Sequence, residues 1–169
     1  MKNILYSIRV SFIISFFLFL ATVSFAQQTK QEKKAAKADQ LKEMVESKNY
    51  VFVAQSVMPM GGRSRQLTSL YTLDVKPDTV ICDLPYMGRV YSAPMGSSEG
   101  GIKFTATDFD YTMAPGKKGG WTISIKTKGQ GSEELTLSIS ESGYASLRVS
   151  SSNRQAISFN GIIESHSSK

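Results

Sequence analysis

The chain has 169 residues, of which 41% are hydrophobic and 10% aromatic, enough for one domain with a real core. Its formal net charge of +6 falls to +4 once Lys2 and Arg9 of the first segment are set aside, too little to predict a nucleic-acid partner. The single cysteine, Cys82, excludes an internal disulfide and any metal site built from several cysteines. Because its neighbours alternate as in a strand, we expect Cys82 to be a buried, unreactive thiol.

Residues 1–26 have the features of a secretory signal peptide. Lys2 and Arg9 supply the positive start, Val10–Leu20 is almost wholly apolar, and small side chains precede the bond after Ala26. We expect cleavage after Ala26 and a mature chain that is periplasmic or secreted, with no transmembrane segment left. An uncleaved membrane anchor is the alternative. No cysteine stands at the cleavage point, so a lipoprotein is not expected.

Residues 27–48 are predicted to form an N-terminal helix that also serves as a tether. They contain no proline or glycine and are rich in Lys, Glu, Gln and Ala, which are good helix formers. Only the second half is amphipathic, through Ala38, Leu41, Met44 and Val45. The interleaved acidic and basic residues favour a solvated outer face over a helix that lies on a membrane surface.

From residue 49 to residue 163 the sequence has the pattern of short strands separated by turn residues. About eight or nine segments can be counted: Tyr50–Ala54, Leu67–Val75, Thr79–Asp83, Ile102–Ala106, Phe109–Met113, Trp121–Lys126, Leu135–Ile139, Tyr144–Ser150 and Ile157–Ile162. The helices that a parallel sheet requires between its strands are missing. We therefore predict a mainly all-β domain, an antiparallel β-sandwich or partly closed barrel of about 8–9 strands with one N-terminal helix. The polar residues 164–169 predict a flexible tail.

The stretch with the most residues of strong conformational or chemical preference is Leu84–Pro94. It contains two prolines, a glycine, two tyrosines and an arginine between two strand-like runs. Pro85 favours an extended residue before it, and Gly88 can adopt a positive φ. The guanidinium group of Arg89 could then bind a carboxylate, a phosphate or a sugar acid.

The candidate ligand-binding residues are accordingly Tyr86, Arg89 and Tyr91, with Arg63, Arg65 and Arg154 as neighbours. A structural interpretation competes with this one. The stretch could be a corner in which both tyrosines pack in the core and Arg89 binds carbonyl groups or a buried Asp83. Burial of Arg89 would distinguish the two interpretations.

Four phrases occur together in a fixed order along the mature chain. They are Phe52-Val53-Ala54 with Pro59–Gly62, then Leu84–Tyr91, Gly100–Phe104 and Asn153–Gly161. In this order they resemble the secreted bacterial family known as domain of unknown function 4251. The resemblance implies export in Gram-negative bacteria and one compact domain of the mature length. It implies no activity and assigns no catalytic residue.

The sequence offers little for catalysis. The only histidine, His166, lies near the C-terminus, where we do not expect it to be held as a base beside a serine or Cys82. With one histidine and one cysteine, the sequence also has too few of the usual zinc ligands. We predict no metal and no cofactor. Asp108 and Asp110 are weak catalytic candidates, because residues two apart on a strand point the same way and lie about 7 Å apart. They could equally form the solvated face of a hairpin.

We therefore expect an exported, non-catalytic binding module of the cell envelope. Its partner would be a small ligand, an envelope glycan or a protein. The alternatives are an envelope hydrolase that uses the paired carboxylates and a purely structural envelope protein.

Overall fold

The computed structural model describes residues 32–33, 35–91, 101–116, 119–128 and 132–166. The predicted signal peptide lies outside them. Contacts group the chain into two units, Met1–Asp39 and Gln40–Lys169. The described residues of the first unit are helical, and the helix that we name α1 runs over residues 35–46. Among the described residues, no helix is long and apolar enough to cross a membrane.

Within the described ranges nine strands follow α1: β1 (Tyr50–Pro59), β2 (Arg65–Val75), β3 (Val80–Pro85), β4 (Gly101–Ala106), β5 (Phe109–Pro115), β6 (Trp121–Thr127), β7 (Glu133–Ile139), β8 (Tyr144–Ser151) and β9 (Ile157–Glu164). They form one antiparallel sheet in the order β4-β3-β2-β1-β9-β8-β7-β6-β5. This sheet is nearly closed into a barrel. The predicted fold class is confirmed, and every predicted strand segment overlaps an observed strand.

The strands form where side chains of alternating polarity can face the core and the solvent in turn. In β3, Val80, Cys82 and Leu84 are buried, whereas Ile81 and Asp83 are exposed. The inward-facing apolar side chains of the sheet belong to one core cluster. The prediction of a buried Cys82 is correct, and burial raises the pKa of its thiol, which keeps the thiol protonated.

The second half of α1 packs against the sheet through Leu41 and Val45, both buried. The hydroxyl group of Tyr111 on β5 donates a hydrogen bond to the carbonyl oxygen of Val45 at 3.0 Å. The hydroxyl group of Tyr50 lies 3.4 Å from that of Tyr111. Burial raises the pKa of both tyrosines, so both hydroxyl groups remain available as donors.

The first and last strands, β1 and β9, pair with each other around an irregularity. Ala54 pairs with Gly161 and Ser56 with Asn160, which leaves Gln55 as an extra residue in β1. This is a β-bulge, a feature that the apolar start of β1 did not predict. A Cβ atom on Gly161 would collide with the carbonyl oxygen of Val53, so only glycine fits at the junction.

We expect Gly161→Ala to lower the free energy of unfolding by about 3 kcal/mol, because its methyl group would force the paired backbones apart. The matched control is Gly62→Ala, whose Cβ would meet the Cβ of Pro59 at 3.4 Å, an ordinary contact. Its effect should stay below about 1 kcal/mol. Urea denaturation measures both changes. Equal losses in the two variants would contradict the close approach at Gly161.

Candidate functional site

The segment that follows β3 pairs with the connection between β8 and β9. The amide group of Tyr91 donates to the carbonyl oxygen of Asn153 at 2.8 Å. The amide group of Gln155 donates to the carbonyl oxygen of Arg89 at 3.0 Å. One isolated antiparallel bridge lies between these two bonds. Two connections that are distant in sequence are thereby held together at one end of the sheet.

The side chain of Tyr86 adds hydrogen bonds to this backbone pairing. Its hydroxyl oxygen lies 2.7 Å from the carbonyl oxygen of Arg89 and 3.0 Å from that of Gln155, so one proton serves two acceptors. Burial raises the pKa of this hydroxyl group, which keeps it a donor. A Cβ atom on Gly88 would lie 2.6 Å from the Tyr86 hydroxyl oxygen. Gly88 is therefore needed for close approach and not for a positive φ, which it could adopt but does not.

The stretch divides into internal and exposed residues. Arg89 is exposed, and Tyr91 keeps 69% of its surface in solvent, whereas Tyr86 packs partly against the core. Asp83 is exposed too, and one of its carboxylate oxygens lies 3.7 Å from Nζ of Lys103. The interpretation in which Arg89 neutralises a buried Asp83 is therefore wrong.

A groove of about 620 Å³ opens at this end of the sheet. Its walls come from the β1–β2 connection, from Met87–Arg89 after β3, and from Gln155. Three of the candidate residues line it, namely Arg63, Arg65 and Arg89, and all three are exposed. No acidic residue is among the described residues of the lining. We name this surface the arginine groove.

Arg154 has an internal role instead. Its Nη1 atom donates to the carbonyl oxygen of Gly101 at 3.1 Å, and its guanidinium carbon lies 5.3 Å from the centre of the Tyr86 ring. Its Nε atom is 3.9 Å from a carboxylate oxygen of Glu133. Arg154 thus contacts Gly101, Tyr86 and Glu133 and does not line the groove.

Glu133 is the charged residue that the sequence analysis missed. It is only 7% exposed, and its Oε2 atom is buried without a hydrogen-bond partner among the described residues. Burial raises the pKa of its carboxyl group, while Arg154 and a hydrogen bond from Ser151 oppose that rise. The sequence pattern could have predicted its burial, because Glu133 alternates in step with Leu135 and Leu137, which face the core on β7.

The paired carboxylates of Asp108 and Asp110 share one lysine. Nζ of Lys128 lies 3.3 Å from a carboxylate oxygen of Asp108 and 3.0 Å from one of Asp110. Its hydrogen bonds to Asp110 and Asp108 raise the pKa of Lys128. All three side chains are more than half exposed. The described residues contain no group of three histidine, cysteine or acidic side chains that could hold a metal ion.

His166 contacts the opposite end of β2 from the arginine groove. Its Nε2 atom lies 3.2 Å from a carboxylate oxygen of Asp74 and 3.3 Å from the carbonyl oxygen of Val75. The only histidine of the chain is therefore engaged at the far end of the strand that Arg65 begins.

These features define a small, nearly closed antiparallel β-barrel with an arginine-lined groove at one end. The sequence model of the family described as "Domain of unknown function (DUF4251)" matches residues 32–163, and the chain belongs to this family. The fold is similar to that of a DUF4251 family protein from Bacteroides eggerthii DSM 20697, with a TM-score of 0.62 and 20% sequence identity. That match covers 78% of this chain and 91% of the other. No curated protein matches the chain significantly.

Glu133 should make stability depend on pH. A carboxyl group whose pKa is higher in the folded than in the unfolded state binds more protons when folded, so its contribution to stability is lost as the pH rises through that interval. Glu133→Gln removes this titration. We expect the free energy of unfolding of Glu133→Gln to increase relative to that of the wild type as the pH rises from about 4 to about 7. Urea titrations across this range measure both free energies, and a value for Glu133→Gln that stays constant or falls relative to that of the wild type would contradict the raised pKa.

Proposed function

We propose that the chain is an exported, non-catalytic binding module of the cell envelope whose arginine groove binds an anionic ligand. One observation carries the proposal: three exposed arginines from two separate segments converge on a groove whose described lining contains no carboxylate. Arg63 and Arg65 follow the end of β1, and Arg89 follows the end of β3. Exposed cations gathered without a local counter-charge are suited to an anion from solution.

The chemistry of arginine restricts the classes of ligand that the groove could bind. A guanidinium group presents planar paired donors that match the oxygens of a carboxylate or a phosphate. Met60 and Met87 also line the groove and add apolar, adaptable surface beside the charges. A small molecule with a carboxylate or phosphate at one end and an apolar face, such as a sugar acid, fits this combination.

The internal bonds support a preorganised groove. The carbonyl oxygen of Arg89 accepts from both the Tyr86 hydroxyl group and the Gln155 amide group, so the backbone that carries the side chain is tied on two sides. A backbone ordered before the ligand arrives reduces the entropy lost on binding.

Several contacts favour binding over catalysis. The thiol of Cys82 is buried with a raised pKa, which disfavours the thiolate that a cysteine nucleophile needs. His166 is engaged at the other end of β2. The hydrolase alternative is weakened because Lys128 lies between Asp108 and Asp110 and neutralises part of their charge. Export and a periplasmic or secreted location are proposed from the features of residues 1–26.

Arg89→Ala should weaken anion binding about tenfold and leave the thermal midpoint nearly unchanged, because the side chain is exposed and lines the groove. The measurement is a titration of the purified mature chain with inorganic phosphate and with glucuronate, followed by nuclear magnetic resonance shifts of the groove amides. Arg148→Ala is the matched control, because it removes another exposed arginine, which lies on β8 outside the groove.

The control variant should bind both anions as the wild type does. If neither anion binds the wild type, or if Arg89→Ala lowers stability without changing binding, the groove is not an anion site. The purely structural alternative would then be favoured.

A further inference from the structure

A second concave surface lies on another part of the sheet. Its volume is about 730 Å³, within the range of small-molecule sites. Its walls come from β1 and from β6 to β9 with their connections, and the two surfaces share no described lining residue. We name it the neutral trough, because its described lining contains no charged residue.

A row of uncharged polar side chains crosses the trough. The strand register places Asn160 opposite Ser146, Ser146 opposite Ser138, and Ser138 opposite Thr122. In each strand these residues alternate with buried ones, so the row lies on the face of the sheet that points away from the core. Four successive strands thus each contribute one hydroxyl or amide group at the same level.

The β-bulge extends this row to a fifth strand. Gln55 is the extra residue of β1, is exposed, and lines the trough. Bulges occur where a side chain must be aimed differently from its neighbours. Gly161 and Ala145 also line the trough, but both are buried and alternate with the outward-facing residues of the row.

Aromatic surface completes the trough. Tyr144 is 67% exposed and lies two residues before Ser146 on the same face of β8. Trp121 at the start of β6 also lines the trough, but it packs partly against the core and shares the inward parity of Ile123 and Ile125. Exposure of so large a side chain as Tyr144 beside a polar row suits a ligand that has both apolar and polar faces.

We propose that the neutral trough binds an uncharged oligosaccharide. Sugar hydroxyl groups both donate and accept hydrogen bonds, as do the side chains of Ser, Thr, Asn and Gln that form the row. The ring of Tyr144 offers an apolar surface for the C–H face of a sugar ring. Neighbouring strands lie about 4.8 Å apart, close to the length of one sugar residue in an extended glycan.

Other ligands fit the trough less well. A peptide could not add as a further strand, because β1 and β6 to β9 are already hydrogen-bonded on both sides. The site is separate from the arginine groove, so this inference extends beyond the proposed function.

The test is isothermal titration calorimetry of the mature chain with four neutral hexasaccharides: cellohexaose, xylohexaose, mannohexaose and maltohexaose. At least one should bind, and both Tyr144→Ala and Asn160→Ala should weaken that binding about tenfold. Arg148→Ala, two residues from Ser146 on the same face but outside the trough, should have no effect. Thermal midpoints of all variants check that each remains folded.

The result that would overturn the proposal is the absence of binding by all four hexasaccharides, or binding that neither trough variant weakens. The two sites can be told apart, because Arg89→Ala should leave oligosaccharide binding intact and Tyr144→Ala should leave phosphate binding intact. Loss of one activity alone therefore assigns the failure to one site.

Discussion

The pairing of the first strand with the last is the constraint on which the rest of the barrel depends. On one side of it, β1 to β4 follow each other in sequence order, and on the other side, β9 to β5 do the same in reverse. Each of those neighbours is also next in the sequence, whereas β1 and β9 are more than 90 residues apart. Closing this contact costs chain entropy that local hairpins avoid. The bulge at Gln55 and the bare backbone of Gly161 are the local features that let the two strands meet.

Both proposed sites lie across this junction. The arginine groove takes its arginines from the β1–β4 side and Gln155 from the other side. The neutral trough takes Gln55 from β1 and the rest of its polar row from β9, β8, β7 and β6. A weakened junction should therefore disturb both surfaces, whereas changes to Arg89 or Tyr144 act on one surface each.

The stretch after β3 combines a structural half and an exposed half. Tyr86 of this stretch faces inward, as does Arg154 of the β8–β9 connection. The guanidinium group of Arg154 lies over the tyrosine ring and near the buried carboxylate of Glu133. Arg89 faces outward on a backbone that the inner half holds in place. Tyr86 thus has the structural position that one interpretation described, whereas ligand binding by the exposed Arg89 stays a proposal.

Much of the fold could be predicted because strand periodicity is a local property. The alternation of apolar residues such as Val80, Cys82 and Leu84 predicts which face of the strand is buried, and six positions are enough to show it. The strand order could not be predicted. The β1–β9 pairing and the contact between Arg89 and Gln155 join distant segments, and the local sequence of one segment does not indicate which other segment it contacts.

The sites were predicted only in part for related reasons. Arginines near Leu84–Pro94 could be proposed from their chemistry, but only the fold separates Arg154, which is bound internally, from Arg63 and Arg65 in the groove. The sequence did not predict the neutral trough, because single uncharged polar residues on five strands look like any solvated face until the register aligns them.

The most direct test of the link between the Tyr86 hydroxyl group and the groove is amide hydrogen exchange in Tyr86→Phe. Removing the hydroxyl group leaves Arg89 in place but releases its carbonyl oxygen and that of Gln155. We predict that the amides of Gln155 and Tyr91 exchange about tenfold faster than in the wild type, while the amide of Leu147 in the middle of β8 keeps its protection. Unchanged protection at Gln155 and Tyr91 would contradict the claim that Tyr86 holds the backbone of the arginine groove.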